Sequence, residues 1–174
     1  LYIRGHHAEA QSTHVNEVFG EVEWITIFFF VGLFMVVAGV EHAGLLELMA
    51  NGLMSATAGD PTITALVILW SSAILSAIID NIPFVATMIP MIKNMAPTMG
   101  GPEGLMPLWW ALSLGACLGG NGTLVGASAN LTVAGLAERE GVPFKFLTYT
   151  KLAFPLMLGS VAVAHVYLYF MFLR

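Results

Sequence analysis

Long apolar stretches separated by short polar or glycine-rich breaks organise most of this chain. The first runs over residues 24–42 as WITIFFFVGLFMVVAGVEH, long enough to cross a hydrocarbon core of roughly 30 Å as a helix. The last, over 148–173, is equally continuous, and tyrosines near its end are typical of a membrane interface. Both stretches predict transmembrane helices. His165 lies in the last one, where an interfacial position is favoured over a proton relay.

Between residues 44 and 59 the pattern is amphipathic rather than uniformly apolar. One helical face carries Leu45, Leu46, Leu48, Met49, Leu53 and Met54. The opposite face carries Glu47, Asn51 and Ser55. This periodicity predicts a helix lying along the membrane surface. A packed helix of a soluble domain would show the same pattern, and only the apolar neighbouring stretches favour the interfacial interpretation.

A third apolar region, residues 61–95, is interrupted in its middle. Asp60 and Pro61 form a strong helix start, because an N-cap acceptor precedes a residue that needs no amide proton. The apolar run then stops at DNIP, residues 80–83, and the continuation FVATMIPMI is too short to span a membrane. The pattern predicts a re-entrant hairpin over 61–95, a backbone break that membranes tolerate only beside protein or a water-filled cavity.

A glycine-rich break also divides the apolar region 105–138. Residues 119–123 read GGNGT, and each glycine in a helix costs about 1 kcal/mol relative to alanine. We therefore expect a discontinuous transmembrane helix, with polar side chains in the gap. The alternative is a continuous helix whose small residues serve close packing with a neighbouring helix.

Composition agrees with a lipid-exposed chain and excludes several classes of function. Hydrophobic residues make up 57% and charged residues 10% of the chain, and its mean hydropathy is +0.82. The formal net charge of -5 argues against binding to nucleic acid. The single cysteine, Cys117, permits neither an internal disulfide nor a thiolate metal centre. No nucleophile and base, metal-ligand set or phosphate loop points to an enzyme, and no cofactor is expected.

The two breaks contain the candidate ion-binding residues. Asp80 carries the main prediction, because a carboxylate near a membrane centre costs roughly 2.5–3.5 kcal/mol and no basic residue lies within the breaks to neutralise it. It should be protonated or paired with a transported cation, H⁺ or Na⁺, with transient Na⁺ ligation by Asp80, Asn81 and Asn121. The further candidates, which offer neutral polar groups or an open backbone, are Ser76, Asn81, Asn121, Gly122, Thr123, Ser128 and Asn130.

Two segments, SAIIDNIPFVATMIP at 76–90 and LGACLGGNGTLVGASANLTVAGLAER at 114–139, resemble the ion transporter superfamily. They are most similar to its branch of arsenite permeases, NhaD-type sodium/proton antiporters and P proteins, often described as a citrate-transporter-like domain. The resemblance implies an all-α membrane fold of two inverted repeats, with elevator-like alternating access and a site between hairpin tip and helix break. Residues 21–174 would then form the C-terminal repeat, and 1–20 a loop after a truncated upstream helix.

The resemblance is less informative about the substrate. The dicarboxylate branch carries Ser-Asn-Thr at its hairpin tip, whereas this chain has Asp80, Asn81 and Ile82, which favours a cation- or proton-coupled carrier. Sodium/proton exchange and arsenite-type efflux are equally expected. A citrate-like carboxylate transporter and a membrane assembly subunit without a transport cycle stay open.

The expected partners follow from this half-transporter hypothesis. They are the missing N-terminal repeat of the same protein, the lipid bilayer and a small inorganic ion or anion, with a homodimer allowed. We expect a multi-pass protein of a bacterial or archaeal inner membrane. The positive-inside rule predicts its orientation: one side carries Arg4, Arg139, Lys145 and Lys151, the other Lys93 and Arg174. The first, more basic side is expected to be cytoplasmic.

Overall fold

The computed structural model describes residues 15, 18–20, 22 and 24–174, and every regular element in these residues is helical. The helices are α1 (Trp24–His42), α2 (Leu45–Ala56), α3 (Pro61–Ser76), α4 (Asn81–Lys93), α5 (Met106–Gly119), α6 (Ser128–Arg139) and α7 (Phe146–Leu168). Short 3-10 turns occupy Glu103–Leu105 and Gly120–Gly122, and a π-helical turn, Tyr169–Leu173, prolongs α7. The predicted all-α class is therefore confirmed.

The chain divides into two compact units, Leu1–Val36 and Val37–Arg174. In the first unit, the Trp24 ring stacks on Phe19 with centroids 5.5 Å apart. Its Nε1 also donates to the Phe19 carbonyl oxygen at 2.9 Å. The loop predicted over 1–20 falls largely outside the described residues.

Local backbone features explain where α2 ends and where α3 begins. The Asp60 carboxylate accepts a hydrogen bond from the Ile63 amide at 2.9 Å, so α3 begins as predicted from the Asp-Pro pair. Helix α2 stops at Ala56, three residues before the expected end of this helix. The reason is that Ala58 (φ 53°) and Gly59 (φ 71°) adopt left-handed backbone conformations, which terminate a right-handed helix.

Helices α3 and α5 form the centre of the second unit and approach each other backbone to backbone. A side-chain carbon at Gly115 would clash with the Leu69 carbonyl oxygen, and one at Gly119 with the Ala73 carbonyl oxygen. Only glycine fits these two positions. The close-packing alternative thus applies to Gly115 and Gly119, while the helix itself still ends at Gly119.

Helix α4 packs mainly against α2 and α5 rather than along α3. Its buried residues are Phe84, Met88, Met91 and Ile92. The buried face of α2 is narrower than the apolar face predicted for it, because only Leu46 and Ala50 are fully buried. Three apolar side chains of that helix stay exposed, namely Leu45, Leu48 and Met49.

The segment Phe146–Leu173 is long and apolar enough to cross a membrane, and only 22% of its most apolar window is buried within the protein. Among the described residues, Ile27–His42 and Leu45–Ala56 pass the same test only as a bent pair. The Trp70 indole Nε1 donates to His165 Nδ1 at 3.1 Å, which ties α3 to α7. His165 thus has a packing role within the protein.

Candidate ion-binding site at two backbone breaks

Two interruptions of helical structure meet at one end of the α3–α5 pair. The first, residues 77–80, separates α3 from α4, and the second, residues 120–127, separates α5 from α6. The Ser76 hydroxyl donates to the Ala116 carbonyl oxygen at 2.8 Å. The Thr123 hydroxyl donates to the Ala77 carbonyl oxygen at 2.5 Å. The first of these bonds joins the last residue of α3 to α5, and the second joins the two breaks.

Glycines allow this close approach. A side-chain carbon at Gly126 would lie 2.7 Å from the Gly120 carbonyl oxygen and 2.8 Å from that of Ser76. One at Gly122 would lie 3.1 Å from the Ala77 Cβ. Any larger residue at 126 would push the second break away from the end of α3.

Asn130 and Thr123 hold the second break in shape. The Asn130 amide nitrogen donates to the carbonyl oxygens of Gly120 at 2.9 Å and Thr123 at 3.0 Å. The Thr123 hydroxyl, besides donating to Ala77, accepts the Gly126 amide at 3.1 Å. Three backbone groups of the second break, the Gly120 and Thr123 carbonyls and the Gly126 amide, thus have hydrogen-bond partners within the protein, which a membrane environment favours.

The remaining predicted ligands keep polar atoms available. Asp80 is half-buried and caps α4 by accepting the Ile82 amide at 3.0 Å, which occupies one carboxylate oxygen. Asn81 is half-buried, and Asn121 and Ser128 are exposed. Carboxylate, amide and hydroxyl oxygens of this kind can bind hard cations such as Na⁺.

The structure therefore separates the eight candidates into two groups. Ser76, Gly122, Thr123 and Asn130 lie at the contact between the breaks and are used in packing or in backbone hydrogen bonds. Asp80, Asn81, Asn121 and Ser128 retain free acceptors. Within the described part of the chain, no hydrogen bond joins a side chain of the second group to one of the first. No three His, Cys, Asp or Glu side chains cluster there as a metal site.

Helix α7 contributes residues that the sequence did not point to. The Tyr149 hydroxyl lies 3.4 Å from the Asn121 carbonyl oxygen, and Phe154 and Met157 pack against Gly122. The adjacent Thr150 hydroxyl is buried without a hydrogen-bond partner. A tyrosine in the first turn of an apolar helix normally marks a membrane interface. The sequence therefore gave no reason to place Tyr149 beside the second break.

These features define an all-helical protein whose apolar core lies beside two polar breaks in its helices. The sequence profile of a family described as "Citrate transporter" matches residues 8–115, and the chain belongs to this family. The family assignment confirms the resemblance found in the sequence, and the description of the family is that of a transporter. A place in a C-terminal repeat stays a prediction.

Relatives carry the similarity across most of the chain. An uncharacterized transporter of Mycobacterium tuberculosis is 42% identical over 88% of this chain, which spans 36% of that protein. The P protein of Homo sapiens is 44% identical over 84% of this chain, which spans 18% of it. A 46 kDa membrane protein of Mycobacterium leprae is 36% identical over 91% of the chain and 37% of its own length. No solved structure matches this chain.

Proposed function

We propose that this chain forms part of a secondary active transporter whose substrate site lies at the two backbone breaks. The observation that carries the proposal is the hydrogen bond from Thr123 to the Ala77 carbonyl, which joins the two breaks. Broken helices at membrane depth provide free backbone groups and side chains to a solute while the rest of each helix stays apolar. Membership of a transporter family supports the same function.

Asp80 would be the coupling group, with Asn81 and Asn121 as neighbouring ligands. A carboxylate can hold either a proton or Na⁺ and thus alternate between them, which is the basis of exchange. Sodium/proton exchange and efflux of neutral arsenite are the two preferred cycles. In both of them Asp80 carries the coupled ion, and its second oxygen, free of the cap, is the available ligand atom.

The proposed architecture assigns each segment a membrane position. Residues 24–42 and 148–173 cross, 44–59 lie at the interface, 61–95 form the re-entrant hairpin, and 105–138 form the broken crossing helix. Exposed apolar side chains on α2 at Leu45, Leu48 and Met49 support an interfacial position. The chain would be one of two inverted repeats that move by an elevator-like mechanism, and its span of 36% of a mycobacterial relative leaves room for the other.

The location and assembly of the whole protein extend the proposal. Bacterial relatives support an inner-membrane location. A homodimer stays an expectation.

A citrate-like carboxylate transporter is the second candidate, favoured by the description of the family. A carboxylate substrate near Asp80 would be repelled unless bound cations compensate the charge. The two candidates therefore differ in whether removing the Asp80 charge abolishes or improves binding of the solute.

A flux assay on the full-length protein that contains this chain tests the proposal. Purified protein in sealed vesicles would be given opposing gradients of Na⁺ and H⁺, then arsenite and citrate separately. We expect one of the first two conditions to give flux above that of empty vesicles. Flux of citrate alone would favour the second candidate. Absence of flux under every condition would indicate an assembly subunit, provided that substitutions of the polar residues at the breaks also leave the protein stable and abundant.

A further inference from the structure

Asn130 lies in the first turn of α6 and reaches back across the break that precedes this helix. Its amide nitrogen donates to two carbonyl oxygens, Gly120 at 2.9 Å and Thr123 at 3.0 Å. A side-chain amide nitrogen carries two protons, so both have an acceptor here. Of the polar atoms in the Asn130 side chain, only the oxygen Oδ1 is left for another partner.

The two carbonyls belong to the residues on either side of Asn121 and Gly122. Holding Gly120 and Thr123 therefore holds both ends of this dipeptide. Gly122 is buried while the Asn121 side chain is exposed. The direction in which the Asn121 side chain projects from the backbone thus depends on the hydrogen bonds that Asn130 makes.

The hydrogen bonds of Asn130 also extend to the end of α3. Thr123, whose carbonyl Asn130 holds, donates through its hydroxyl to the Ala77 carbonyl and accepts the Gly126 amide. A change at Asn130 would therefore alter the distance between the two breaks as well as the shape of the second one.

We propose that Asn130 is a positioning residue: its amide clamps the second break and aims Asn121, and it does not itself bind the transported ion. This reassigns a residue that the sequence suggested as a ligand. The clamp is a claim about the chain alone, and only its effect on ion affinity rests on the proposed function.

Hydrogen exchange of residues 119–131 in the full-length protein tests the clamp. Asn130→Ala and Asn130→Asp both remove the two N–H donors. Aspartate has nearly the same shape as asparagine, so this variant keeps the test possible if the alanine variant fails to accumulate. Thr132→Val is the matched control, since it removes a local, exposed hydrogen bond to Ser128 on the same helix. We expect exchange in the break to rise about tenfold in both Asn130 variants and to stay unchanged in the control. Unchanged exchange in both would overturn the clamp.

The half-saturating Na⁺ concentration for flux separates positioning from direct binding. A direct oxygen ligand would be preserved and strengthened by Asn130→Asp, because the variant keeps an oxygen and adds negative charge. A clamp would be lost in both variants, so we expect sodium affinity to fall about tenfold in each. Tighter sodium binding in the aspartate variant would overturn the proposal. Faster exchange in a protein whose wild type shows no sodium-dependent flux would support the clamp and reject only the sodium-coupled function.

Discussion

The Ser76 hydroxyl donates to the Ala116 carbonyl oxygen at 2.8 Å, and both residues are fully buried between α3 and α5. The same carbonyl also accepts the Gly120 amide at the end of α5. The Ala116 oxygen thus accepts hydrogen bonds from both α5 and α3. The bond from Ser76 holds the two helices together four residues before Asp80.

Replacing Ser76 by alanine should therefore destabilise the protein rather than change its ion preference. The Ala116 oxygen keeps one partner, so we expect a loss of about 1 kcal/mol. Thermal unfolding of the purified full-length protein measures this loss. Ser71→Ala is the control, because Ser71 is less buried and makes only a local bond of 3.3 Å to Ile68. Equal midpoints for both variants would contradict the structural role.

Thr123 provides a sharper test, since two substitutions separate its hydroxyl from its shape. Thr123→Val keeps the volume but leaves the Gly126 amide and the Ala77 carbonyl without their partner. We expect this variant to lose most flux, because each buried unpaired group costs about 1–3 kcal/mol. Thr123→Ser retains the hydroxyl and should retain most flux. Similar flux of both variants in vesicles, at matched protein levels, would show that the hydroxyl is dispensable.

Gly126 should not tolerate even one additional carbon. In Gly126→Ala the new Cβ would lie 2.7 Å and 2.8 Å from two carbonyl oxygens, of Gly120 and Ser76, so the break must move. We expect loss of flux and a lower unfolding midpoint. Gly135→Ala is the control on α6, since no atom lies within 4 Å of its new carbon. There the helix should be unchanged or slightly more stable, because alanine favours helix more than glycine.

Asp80→Asn should abolish ion coupling while leaving membrane insertion and protein abundance close to wild type. Asparagine is as good an N-cap as aspartate, so α4 keeps its first turn. The charge that would exchange Na⁺ and H⁺ is lost. Asp60→Asn, at the corresponding cap of α3, is the control and should transport normally. Flux with unaltered pH dependence in Asp80→Asn would show that Asp80 acts only as the N-cap of α4.

Labelling from each side of the membrane tests the predicted re-entrant hairpin and its orientation. Asn81→Cys and Val142→Cys would be prepared without the native thiol, through Cys117→Ser, and treated with impermeant reagents. Val142 is exposed, and Arg139 and Lys145 beside it predict a cytoplasmic position. We expect rapid cytoplasmic labelling at 142 and slow labelling at 81. Equally fast cytoplasmic labelling at both would mean that the tip of the hairpin is an ordinary loop. Arg4, which also entered the orientation, lies outside the described residues.

Local sequence determined where helices start and how apolar each one is. The pair Asp60 and Pro61 predicts the first residue of α3, because capping and a missing amide proton act within one turn. The glycine-rich run 119–123 predicts a break for a similarly local reason, the low helix propensity of glycine. Apolar length alone marks Phe146–Leu173 as long enough to cross a membrane.

Only the tertiary structure decided which polar groups pair. Ser76 and Thr123 find their acceptors 40 and 46 residues away in the sequence. The sequence therefore cannot tell whether a hydroxyl near a break binds an ion or makes a structural hydrogen bond. Asn130 is similar, since its two acceptors are backbone carbonyls, which every residue has. Hydrogen-bonding capacity is a property of the residue type, but the choice of partner depends on the packing of α3 against α5, which brings the two breaks together.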